Sequence, residues 1–97
     1  MNTKKGYWVA SVDVSDPEIY GNYVAANKIA FDKYGARFLA RGGRAEGPEG
    51  AIGARNVIIE FDSYETAVAC YNSPEYQEAL KHRLAASTAH FVIVEGA

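Results

Sequence analysis

The patterned part of the chain opens with Tyr7-Trp8-Val9-Ala10-Ser11-Val12-Asp13-Val14, a run of aromatic and β-branched residues that predicts a first strand. The period then changes. Asp16, Pro17 and Glu18 supply in succession a capping carboxylate, a proline for the first turn and an acidic residue at the positive end of a helix. The predicted helix runs to about Tyr34, where Gly35 offers a left-handed cap. At about 100° per residue, Tyr20, Tyr23, Val24, Asn27, Phe31 and Tyr34 fall on one stripe that should face a sheet. Arg37-Phe38-Leu39-Ala40-Arg41 predicts a second strand. Positions 42–54 hold five of the nine glycines and read as a long hairpin loop. Asn56-Val57-Ile58-Ile59-Glu60-Phe61 predicts a third strand. Ser63 caps a second helix with Tyr64, Ala67, Val68 and Tyr71 inward. Asn72-Ser73-Pro74-Glu75 interrupts and restarts that helix, and the new piece carries Tyr76, Ala79, Leu80 and Arg83 on its stripe. His90-Phe91-Val92-Ile93-Val94-Glu95 predicts the last strand.

The order β-α-β-β-α-β is the ferredoxin-like plan of an α+β domain. Right-handed crossovers give a four-stranded antiparallel sheet of order 4-1-3-2 with the helices on one face. Residues 1–97 then form a single domain, as the length suggests. The opposite face is uncovered, and strand parity says what lies on it. Val57, Ile59 and Phe61 suit the helix-covered core, which turns Ile58 and Glu60 outward. Val9, Ser11 and Asp13 form the more polar set of strand one, and a symmetric hairpin sets Arg41 opposite Ile58 and Leu39 opposite Glu60. For strand four, parity leaves Val92 with Val94 and Phe91 with Ile93 equally placed. A face mixing Val9, Leu39 and Ile58 with Asp13, Arg41 and Glu60 suits a subunit interface, here through Val9, Ser11, Leu39 and Ile58. The expected partner is a second copy of the chain.

Composition narrows the function. A net charge of -2 argues against nucleic acid, whose phosphates require clustered Lys and Arg. No apolar stretch approaches the roughly 20 residues of a membrane span, and Lys4-Lys5 are not followed by an apolar leader segment, so a cytoplasmic location is expected. Cys70 is the single cysteine, and His82 and His90 are eight apart; neither offers metal-ligand spacing. The glycines at 47, 50 and 53 do not open a helix after a strand, so they form no phosphate loop. The sequence thus implies no metal and no tightly bound cofactor.

Six polar residues are candidates for a ligand pocket or for the dimer seam. Asp13 and Glu60 with Arg41 can serve as base and anion clamp, or as an ion-pair network fixing the dimer. Asn27 and Arg83 interrupt apolar stripes, where they can reach a cleft between helices and sheet or simply satisfy neighbours. Tyr71 stands for the tyrosine-rich inward set, whose phenols either line a pocket or pack with their hydroxyls at the core edge.

Gly6-Tyr7-Trp8, Val12-Asp13-Val14, Arg41-Gly42-Gly43-Arg44, Glu60-Phe61, Tyr71-Asn72-Ser73-Pro74-Glu75-Tyr76-Gln77 and Phe91-Val92-Ile93-Val94-Glu95-Gly96 resemble the bacterial family termed domain of unknown function 1330. That resemblance implies the dimeric α/β-barrel superfamily, in which two ferredoxin-like subunits join sheet to sheet. The superfamily includes cofactor-independent monooxygenases, an isomerase, haem enzymes and proteins without known activity, so the reaction is not implied. Two functions remain. One is binding or transforming a small organic molecule, as a monooxygenase or isomerase does; the other is a structural or regulatory dimerisation module without turnover. An enclosed polar-lined void of a few hundred Å³ would favour the first.

Overall fold

The structure is a computed structural model that describes residues 4–97; Met1 to Thr3, the start of the segment read above for a leader, lie outside them. The elements are β1 (Gly6–Val14), α1 (Pro17–Tyr34), β2 (Arg37–Arg41), β3 (Arg55–Phe61), α2 (Tyr64–Asn72), α3 (Pro74–Ala86) and β4 (Ser87–Glu95). All pairings are antiparallel, in the order β2-β3-β1-β4, which is the expected arrangement. Local chemistry sets the boundaries. Asp16 accepts the Ile19 amide ahead of Pro17, and Gly35 ends α1 at φ 69° with its N–H on the Phe31 carbonyl. Ser73 divides α2 from α3 by capping the second piece. The helices cover one side of the sheet, and among the described residues no helix is long and apolar enough to cross a membrane.

The core sits between helices and sheet, centred on Trp8. Its indole N–H donates to the Ala67 carbonyl at 2.9 Å, and Phe31, Phe61, Tyr71, Tyr76 and Phe91 surround the ring at centroid distances of 4.8–5.9 Å. Val12, Val57, Ile59 and Phe61 complete the sheet side as parity predicts. Parity is now resolved for β4. Phe91 and Ile93 pack on the core, while Val92 and Val94 are 52% and 44% exposed on the open face.

Two expectations are corrected. Arg41 pairs with Val57 and Ala40 with Ile58, because the ladder shifts between Phe38 and Ala40 and leaves Leu39 as an extra residue. The bulge consumes one position, so Arg41 turns to the helix side and Arg37, not Leu39, stands opposite Glu60. Tyr64 is not inward but 37% exposed. It heads α2 beside Gly6, whose missing side chain lets β1 lie directly against the Ser63–Tyr64 backbone.

Candidate functional site

Between α1, α3 and the sheet runs a cleft with aromatic and aliphatic walls, among them Trp8, Tyr20, Tyr23, Phe31, Phe38 and Phe91. Its polar lining is Asn27, Arg41, Arg55 and Arg83, with no acidic side chain. The cleft measures about 480 Å³ with the solvent at its mouth, but water-sized groups find only about 30 Å³ within. That holds a water or a carboxylate-sized head rather than a whole drug-sized ligand. It is a narrow slot, not the enclosed void of a few hundred Å³ described above.

Arg83 reaches the slot because it occupies the inward stripe of α3 with Tyr76, Ala79 and Leu80. Only 6% of it is exposed, yet its Nε has no hydrogen-bond partner, and none of the ion pairs among the described residues includes it. The guanidinium lies over Phe91 at 5.3 Å and Tyr23 at 5.9 Å. Contacts of this kind return about 0.5–2 kcal/mol each, whereas desolvating an ion costs several. Burial pulls the Arg83 pKa down, but Tyr76 and Tyr23 beside it hold it above the usual value, so the charge persists. Arg55 repeats the pattern. Its Nε is also buried without an acceptor, and its charge lies 5.8 Å from the Tyr20 ring. Arg41 rests on Phe38 at 4.1 Å.

The phenols are paired. Tyr23 and Tyr76 share a buried hydrogen bond of 2.8 Å, and burial raises both pKa values. The Tyr23 and Tyr76 phenols and the Arg83 guanidinium therefore keep their protons near neutrality. They can bind and orient, and donate hydrogen bonds, but cannot act there as a base.

Of the six sequence candidates, the slot brings together Asn27, Arg41 and Arg83. Tyr71 packs against Trp8, Tyr76 and Phe91 in the core and does not line the slot. Asp13 and Glu60 lie on the opposite face, apart from Arg41. Asp13 accepts the Ala54 amide at 3.0 Å and Ser11 accepts that of Gly53 at 2.7 Å, so both fasten the returning glycine loop. Glu60 accepts Tyr7 Oη at 2.9 Å and Arg37 Nε at 3.0 Å; these two contacts hold its carboxyl below the usual range. The expected trio of Asp13, Arg41 and Glu60 is thus replaced by Tyr7, Glu60 and Arg37. Arg55 and the Tyr23–Tyr76 pair were not anticipated. Arg55 shares the parity of Val57 and Ile59, a signal that was available once β3 is begun one residue earlier.

The open face carries a broad depression of about 640 Å³ with Val9, Ser11, Ala40, Ile58, His90 and Val92 in its lining. Val9, Leu39, Ile58, Val92 and Val94 are exposed there by 37–57%.

The family model described as "Domain of unknown function (DUF1330)" matches residues 5–97. No curated protein matches. Among solved structures, the chain is similar to a protein of unknown function from Rhodopseudomonas palustris, at 21% identity and TM-score 0.76, covering 99% of this chain and 85% of that one. It is similar to SnoaB, a cofactor-independent oxygenase from Streptomyces nogalater, at 12% identity and TM-score 0.65, covering 98% and 95%. A dimeric protein of unknown function and ferredoxin-like fold from Bacteroides fragilis superimposes at 14% identity and TM-score 0.61, covering 94% and 95%. These likenesses are of fold, and the fold is shared with oxygenases.

Proposed function

The chain belongs to the domain of unknown function family DUF1330, and on that premise we propose that it binds a small organic molecule in the slot between helices and sheet, as half of a homodimer. The observation that carries this reading is the pair of buried arginine Nε atoms, on Arg55 and Arg83, without acceptors in one aromatic cleft. The great majority of buried polar groups in folded proteins are paired, so two orphaned donors in one cleft support a ligand that would accept from them. Asn27 and Arg41 complete its polar lining. The likeness to a cofactor-independent oxygenase supports turnover of monooxygenase type without a tightly bound cofactor. Because no carboxylate or histidine lines the slot, a base for any proton abstraction has to come from outside its lining.

The dimer rests on the aliphatic open face and on the dimeric relative of the same fold. In such an assembly Val9, Ser11, Leu39 and Ile58 form the seam, joined by Val92 and Val94, while Asp13, Glu60 and Tyr71 serve structure. A second reading, a dimerisation module without turnover, is favoured by the narrowness of the slot. A thermal-shift screen of small carboxylic acids, phenols and neutral aromatics separates the two. A ligand at 100 times its Kd adds about 2.7 kcal/mol of stability. Hits that compete with one another support the slot; a flat screen favours the module.

A further inference from the structure

We infer that the slot selects an organic anion, carboxylate-headed or of equivalent charge, whose head lies between Arg83 and Arg55; this rests on the reading of the slot as a ligand site. Three observations converge. Every charged side chain in the lining is cationic, so the slot has no counterion of its own. Both Arg83 and Arg55 keep a buried Nε without an acceptor, and each guanidinium lies near an aromatic ring, Phe91 at 5.3 Å and Tyr20 at 5.8 Å, rather than a carboxylate. The free interior, about 30 Å³, admits a planar two-oxygen head and leaves the remainder of a ligand at the mouth, near Arg41 and Phe38. A guanidinium fork matches such a head with two parallel hydrogen bonds, which a neutral amide or phenol does not reproduce. Little salt screening reaches a cation as buried as Arg83, so the selection should persist at moderate ionic strength.

The test uses the full chain with ¹⁵N-labelled arginine at pH 7, following the Arg83 and Arg55 Nε–H resonances during titration with benzoate and with its neutral isostere benzamide. Saturable shifts with benzoate, and a response to benzamide at least about tenfold weaker, are expected. Equal responses to both compounds would leave the slot a ligand site but overturn the selection of an anion. Silence from both, with melting temperature unmoved, overturns the inference together with the slot. Arg83→Met should fold, because an apolar chain of similar length relieves a buried unpaired charge, and its melting temperature should equal or exceed that of the parent. It should lose benzoate binding, whereas Arg83→Lys keeps the charge without the fork and retains a weakened response. Unchanged benzoate affinity in both Arg83→Met and Arg55→Met would sink the assignment.

Discussion

Cys70 shows how burial silences a reactive group. The thiol is fully buried in α2, donates weakly to the Ala30 carbonyl at 3.9 Å, and burial pushes its pKa up to about 12. At pH 8 almost none is thiolate, the form that reacts. Ellman's reagent should therefore leave the native chain unlabelled and titrate one thiol per chain in denaturant; rapid native labelling would contradict this burial. Arg83 is the opposite case at the same scale, a buried group that stays charged because arginine does not surrender its proton. Its inward position was legible from the stripe of α3, since Arg83 follows Tyr76, Ala79 and Leu80 at helical spacing. What the sequence could not carry was the emptiness around it. Whether a carboxylate stands beside a guanidinium depends on distances between α1, α3 and β3, and helical spacing within one element does not report them.

Among the elements, the break between α2 and α3 depends on one hydroxyl. Ser73 Oγ accepts the Tyr76 amide at 3.1 Å and donates to the Cys70 carbonyl at 2.7 Å, with 3% of the residue exposed. It thus closes the end of one helix and the start of the next. Ser73→Ala should cost about 1–2 kcal/mol, since both buried partners lose their bond. At roughly 4–8 °C per kcal/mol for a domain of this size, thermal melting should fall by several degrees; an unchanged midpoint would deny Ser73 this role. Such signals were readable, because caps and prolines act locally, and the elements appear where Asp16, Gly35, Ser63 and Ser73 place them. Strand β2 was misread because a bulge leaves no mark in five residues of mixed polarity. Tyr64 was misplaced because a stripe does not say how far along a helix the sheet extends.

For the whole molecule, the decisive asymmetry is between a covered face rich in aromatics and an open face rich in exposed aliphatics. Ile58 stands at the centre of the latter, paired with Val9 on one side and Ala40 on the other. Ile58→Asp should leave the subunit folded, since the site is 37% exposed in a single chain, while placing an unpaired charge in the proposed seam. In sedimentation it should run as a 10.5 kDa monomer, and the parent, on the proposed assembly, at twice that mass. A variant that remains dimeric would remove this face from the assembly. The uncovered face was foreseeable from strand order and parity, because topology alone leaves one side of such a sheet bare. The engagement of its polar members was not, because Asp13 and Ser11 accept the amides of Ala54 and Gly53 across more than 40 residues of sequence.

The bulge at Leu39 matters beyond the direction of Arg41. β2 is an outer strand, with β3 on one side and, among the described residues, no strand paired to the other. A regular border of free amides and carbonyls would invite a stray strand to add on, the first step toward fibrous aggregation. An extra residue in the middle breaks that border into stretches too short to template another chain. The irregularity that sends a cation into the slot also blunts a sticky margin.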